Sequence, residues 1–281
     1  IELIQDAQDI DMNDTGEVTD LLRKYMGEHQ HLRTALFPHV GFNVAGAGVM
    51  IGGLGQGTVD VEIRNPVWPE THVDIIADGG VLAGAGLKLP VTGLSAGVVA
   101  KYIYRKSLTE VYTASDIAAA DFEDRLDEDL KSGSGISADI GLMYDLPFVP
   151  MFDTTVALVA QNIPEINMGN ARDIKTQFNA GISLTKSFAA FAVLLALDYR
   201  DITNNIGEDS DVPKRIHMGA EVKLPKILAV RVGLNQGYLT AGATVDFWVL
   251  RFDFATYGEE MGAYAGQRED RRYIGQITLG W

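Results

Sequence analysis

The chain has 281 residues, 23 Lys+Arg against 38 Asp+Glu, a formal net charge of -15 and no Cys. That excludes a disulfide scaffold, a thiolate zinc site, an iron–sulfur cluster and a cysteine nucleophile, and the acidic balance disfavours a nucleic-acid partner. With 47% hydrophobic residues the chain is too apolar for disorder, yet its longest apolar stretch, Phe188 to Leu197, is about half of a bilayer-spanning helix.

No signal peptide opens the sequence at Ile1-Glu2-Leu3, which leaves a cytosolic chain or a processed or trimmed form. The first element expected is a helix, with Asp14 as N-cap, Glu17 at the capping-box position, and Val18, Leu21, Leu22, Tyr25 and Met26 on one stripe before Gly27 ends it. Residues 1–34 read as an N-terminal helical, hatch-like segment that plugs a lumen or lies over its mouth. His29 and His31 read as an exposed polar pair after the helix in preference to a weak metal chelate, and no metal or other cofactor is expected.

From residue 35 to 281 the period is two. The spacing predicts thirteen strands, roughly 39 to 52, 58 to 65, 72 to 88, 94 to 106, 135 to 146, 154 to 162, 174 to 185, 189 to 200, 214 to 224, 227 to 235, 238 to 246, 249 to 257 and 272 to 281. Leu94, Ala96, Val98, Ala100, Tyr102 and Tyr104, for example, alternate with Ser95, Gly97, Val99, Lys101, Ile103 and Arg105. One face suits lipid and the other water, the pattern of a transmembrane barrel that a hydropathy window cannot see. Short turns fall at Gly52 to Gly57, Pro90 to Gly93, Thr185 to Phe188, Leu224 to Ile227 and Asp246 to Val249. Long loops, Pro66 to Thr71, Ser107 to Ser134, Ile163 to Asp173, Asp201 to Pro213 and Gly258 to Arg271, group at the opposite end. The longest contains a second expected helix, about Ser115 to Lys131, whose acidic run faces solvent. The fold class is therefore all-β, an antiparallel transmembrane β-barrel of about fourteen strands. An odd count leaves one strand unaccounted for, expected N-terminal to Ile1 and beside the terminal strand.

The polar face carries Lys101, Arg105, Asp139, Asp198, Arg200, His217, Glu221, Arg231, Arg251 and Asp253, the expected lumen lining, together with Asp145, Lys223 and Asp246. Both signs are balanced, which favours cross-strand pairing over the single-sign ring of a selective ion pore. Asp198, Arg200 and His217 on neighbouring strands read as lumen ion pairing rather than a rim active site, and no catalytic residue is assigned. The glycines between Gly46 and Gly57 lack the strand-to-helix setting of a phosphate loop and read as sites of strand curvature.

The last strand places Tyr273, Ile277, Leu279 and Trp281 on one face and ends on the aromatic residue. This ending resembles the signal by which outer-membrane assembly machinery recognises bacterial barrels. Further segments, Leu197-Asp198-Tyr199-Arg200-Asp201, Leu224-Pro225-Lys226, Gly233-Leu234-Asn235-Gln236-Gly237, Tyr257-Gly258-Glu259-Glu260 and Ala263 to Arg272, resemble TraF-like outer-membrane barrels. That family is similar to the wider FadL-like and PorV-like superfamily. The resemblance implies a Gram-negative outer-membrane location, contact with outer-membrane lipid, and passage of hydrophobic small molecules. Its alternative is a structural barrel that anchors or shuttles a surface or secreted protein partner.

Overall fold

The computed structural model describes residues 2–147, 149, 151–206, 210–225 and 227–280. Fourteen segments form one antiparallel sheet: β1 (His29–Leu36), β2 (His39–Val44), β3 (Ala47–Arg64), β4 (Glu70–Lys88), β5 (Leu94–Thr113), β6 (Lys131–Leu146), β7 (Asp153–Ile163), β8 (Gln177–Ser187), β9 (Ala192–Tyr199), β10 (Ile216–Lys223), β11 (Leu228–Asn235), β12 (Tyr238–Phe247), β13 (Leu250–Glu260) and β14 (Glu269–Leu279). The sheet curls into a nearly closed barrel in which each strand pairs with the next from β3 to β14. Short helices α1 (Glu2–Gln8), α2 (Thr15–Lys24), α3 (Ala114–Ile117) and α4 (Phe122–Asp129) accompany it. Among the described residues no helix is long and apolar enough to cross a membrane.

Alternation sorts the side chains into two faces. On β5, the even-numbered Val98, Tyr102 and Tyr104 are exposed, whereas the odd-numbered Ile103, Arg105 and Ser107 are buried. On β6, Ile136, Ile140 and Leu142 are exposed and Ser137 is buried. The exposed set continues around the wall through Leu158, Leu195, Val232, Leu239, Phe254 and Ile277. An apolar outer surface on a nearly closed barrel is the surface that lipid covers. At the short-turn end Phe188 stacks on Phe191 at 4.6 Å, and Phe247 and Trp248 are exposed, as befits aromatic residues at a membrane interface.

The start of the sheet differs from the sequence expectation. Residues 39 to 52 are a hairpin, because Ala45 (φ 50) and Gly46 (φ 87) make a two-residue turn of positive φ that suits the strand twist. No turn exists at Gly52 to Gly57; β3 runs straight through it, paired with β4 along its whole length. The sheet also begins at His29 rather than residue 35, since β1 pairs with β3 from His29↔Glu62 to Leu36↔Gly55. β1 and β2 are thus two halves of one edge position, separated at Phe37-Pro38, and both pair with β3. The parity reset expected near Asp246 to Val249 occurs at Trp248 (φ 61).

Counted by position, the ring has thirteen strands, so β1/β2 and β14 run parallel. Among the described residues β14 pairs only with β13. Side chains bridge the seam at the long-loop end: His29 Nδ1 lies 3.0 Å from Asp270 Oδ2, and Arg268 reaches both Glu62 at 2.8 Å and the Gly27 carbonyl at 3.0 Å. His29 and His31 are therefore inner-face seam residues, with His31 Nδ1 2.7 Å from Asp60 Oδ1, rather than an exposed pair.

The expected first helix is α2, with Asp14 as its N-cap, and it ends two residues early, at Lys24. Asp14 accepts from the Gly16 and Glu17 amides, but Glu17 accepts from the Asp11 amide instead of completing a box with Asp14. Val18, Leu21, Leu22 and Tyr25 pack on Ile63 and Ala114. Ile63 shares its strand face with exposed Ile51 across an unbroken ladder, so α2 rests on the outer face of the β3–β5 extension and is no lumen plug. The expected second helix divides into α3 and α4; Thr113 forms a capping box with Asp116, whose carboxyl is held below the usual range by the Thr113 amide and hydroxyl. Phe122 of α4 packs edge-on against Tyr112.

Candidate functional site: a lumen with an inward-folded loop

The β7–β8 connection, residues 164 to 176, folds onto the inner wall instead of extending away from it. Its anchor is Asp139, whose Oδ1 accepts from the Asn162 amide at 2.8 Å and from Lys101 at 2.5 Å. Beyond it the Ser137 hydroxyl donates to the Pro164 carbonyl at 2.6 Å. The loop closes on itself through paired Ile166 and Ile174 backbone bonds of 2.9 and 3.0 Å. Ile166, Met168, Ala171 and Ile174 then pack against inner-face Ile103. Gly133 and Gly135, on the inner face of β6, leave the space the loop occupies: a Cβ at either would overlap Met168 or Ile166.

Charge fixes the far end of the loop. The Arg172 amide donates to Ser107 Oγ at 2.8 Å, and its guanidinium reaches Asp74 at 2.5 Å and Thr109 at 3.3 Å. Its carbonyl accepts from Arg105, which holds Asp78 by two bonds of 2.7 and 2.8 Å. Asp78 also accepts from Gln56 at 2.7 Å. Planar, bidentate geometry makes Arg105–Asp78 the most specific of the inner pairs. Within the loop, Asp173 accepts from the Met168 amide at 2.9 Å and from Lys175 at 3.2 Å, and these bonds hold its carboxyl below the usual range.

On the opposite wall Arg231 donates to Glu221 at 2.5 Å and to Asp253 at 3.3 Å, and Arg251 reaches Asp253 at 2.9 Å. The residues named from sequence thus fall into two chains, Lys101–Asp139 with Arg105 on β5–β6, and Glu221–Arg231–Asp253–Arg251 on β10–β13. His217 bonds Asn235 at 2.6 Å. Asp198 is in register with Gly181 and His217, and Arg200 lies just past β9, where its amide donates to the Arg215 carbonyl. Of the terminal-strand residues, Tyr273, Ile277 and Leu279 point outward and are exposed, and Trp281 lies outside the described residues. Asp74, Asp78, Gln56 and Arg172 escaped the sequence reading. Arg172 sits in a loop without periodicity, and nothing in a one-dimensional pattern says that a loop turns inward.

No family model matches the chain, and neither does any curated protein. The TraF-like resemblance therefore has no family model behind it. Among solved structures the chain is similar to the CymD monoaromatic hydrocarbon channel, at a TM-score of 0.40 and 12% identity over 85% of each chain.

Proposed function

We propose that this chain is a bacterial outer-membrane barrel that passes hydrophobic small molecules, a conduit rather than an enzyme, related to TraF-like barrels through the segments quoted above. The observation that carries the reading is the seam. Below the Phe37-Pro38 break, β2 and β14 share no backbone ladder among the described residues. Unladdered edges facing lipid cost several kcal/mol per unmet backbone group, so such a gap in an otherwise continuous wall implies a use. A gap at lipid depth gives an apolar solute an exit sideways from a lumen whose other end is narrowed by the inward loop.

The chain contains no Cys, so a cysteine placed on β2 and another on β14 can be joined by a flexible bis-maleimide. Reconstituted in vesicles, the protein should speed entry of naphthalene over protein-free vesicles, and the cross-link should remove that gain. Equal rates with and without protein would overturn the reading. A second reading, a barrel that docks a surface or secreted protein, is favoured by Val67 and Trp68, exposed by 82% and 58% on the β3–β4 loop. Val67→Ser with Trp68→Ser should then abolish capture of one defined partner and leave naphthalene entry unchanged.

A further inference from the structure

A cavity of about 560 Å³ lies on the short-turn half of the inner wall, between β2 and β7. This is within the range of small-molecule sites. A row of bare backbone crosses it in register: Gly48 of β3 faces Gly86 of β4, Gly86 faces Gly97 of β5, and Gly97 faces Gly141 of β6. At the spacing of neighbouring strands these four positions make a floor roughly 14 Å long. Asn43 stands at one end of the row and Val159 at the other. Met50 and Val99 rise along the flank nearer the inward loop, beside Gly84 and Asp139 of the next row.

Neither backbone conformation nor packing calls for glycine at the four floor positions. None of them has positive φ. The nearest atom to an added Cβ would be 3.7 Å away at Gly48, 3.5 Å at Gly86, 3.6 Å at Gly97 and 3.9 Å at Gly141. These are ordinary contacts, unlike the overlaps at Gly133 and Gly135. Glycine inside a strand weakens it, so what these positions gain is the empty volume above them. Side chains longer than alanine would project into that volume. The half-buried flank residues Met50 and Val99 stand two residues away along their strands, roughly 7 Å from the glycine row.

Resting on the reading of the barrel as an apolar conduit, we propose that this cavity binds one uncharged planar molecule of two or three fused rings. The molecule lies flat on the glycine row, one face against bare peptide and its edge against Met50 and Val99. A single hydroxyl or similar group at its end meets the Asn43 carboxamide; Asp139 is already committed to Lys101 and the Asn162 amide. A globular hydrocarbon of the same size touches a flat floor over a small part of its surface and binds poorly.

The test uses the protein in lipid nanodiscs, with 2-naphthol as fluorescent probe, 1-adamantanol as competitor and empty nanodiscs as blank. Gly97→Leu should weaken 2-naphthol binding about tenfold or more, a loss of about 1.4 kcal/mol, with the folded barrel retained by heat-modifiable gel mobility. Gly79→Leu on the outer face, where an added Cβ meets nothing within 4 Å, should leave binding within about twofold. If Gly97→Leu fails to fold, Gly86→Ala with Gly97→Ala replaces it and should weaken binding by a smaller, measurable factor. Unchanged 2-naphthol affinity in folded filled variants would overturn the proposal, and so would displacement by 1-adamantanol as efficient as by 2-naphthol. Saturable binding without vesicle entry overturns the conduit alone; entry with no effect of the filled cavity on binding overturns the site alone.

Discussion

The α-carbon of Gly133 faces the Met168 carbonyl so closely that a Cβ there would overlap its oxygen. This contact, with the Ser137 bond to the Pro164 carbonyl, seats the inward loop on the inner wall of β6. Gly133→Ala should displace the loop at a cost of about 1–3 kcal/mol, the usual range for overpacking, while the ladder that holds the barrel persists. The check is the thermal transition together with entry of a neutral hydrophilic solute into vesicles, which should rise. Gly55→Ala, with nothing within 4 Å of the new carbon, should change neither.

Arg172 and Asp74 hold the loop end across 98 residues of sequence. Arg172→Ala and Asp74→Ala should each loosen the loop, and the double variant should be no worse than the worse single one. Coupling of about 0.5 kcal/mol or more in that cycle is expected for residues in direct contact. Strict additivity in protease sensitivity of residues 164 to 176 would remove the pair from the latch.

Asp173 has its carboxyl pKa lowered by the Met168 amide, then by Lys175. A depressed folded pKa means that its stabilising share is complete above the unfolded value and is lost as pH falls through the folded one. Amide exchange at Met168, corrected for intrinsic rate, should therefore be slow from neutral pH down to the ordinary carboxylate range and accelerate below it. Asp173→Asn should flatten this dependence.

Arg231 stands between Glu221 and Asp253. Arg231→Met removes the donor that Glu221 and Asp253 share, while Arg251 still reaches Asp253 and Lys223 still reaches Glu221, and should destabilise the barrel by about 1–3 kcal/mol, the range for hydrogen bonds to charged groups. Adding Glu221→Gln should recover part of that loss in urea unfolding from lipid vesicles.

Val98 is exposed on the outer face, in the apolar band. Val98→Arg should cost about 2–4 kcal/mol if placed near the bilayer centre, read from the folding equilibrium in vesicles. Val111→Arg, exposed near the long-loop end of the same strand but on its inner face opposite His72, should be close to neutral.

Period-two alternation from β4 to β14, and the opposed ends of short turns and long loops, were legible because a residue's face in a strand depends only on its own parity. The same logic placed Arg105, Asp139, Arg231 and Asp253 on the polar side and Ile277 and Leu279 on the apolar one. What alternation cannot carry is partnership. Whether Arg105 meets Asp78 depends on the register between strands β4 and β5, and whether Arg172 meets Asp74 depends on a loop turning inward. The Ala45-Gly46 turn was hidden among neighbouring glycines, since extended and positive-φ glycine look alike in sequence until a ladder is laid against them. The row Gly48, Gly86, Gly97, Gly141 is spread across four strands and exists only once the ladders bring it together. Each strand's faces follow from local stereochemistry, whereas registers, the inward loop and the cavity are set by packing between residues distant in the chain, so tertiary structure alone decided them.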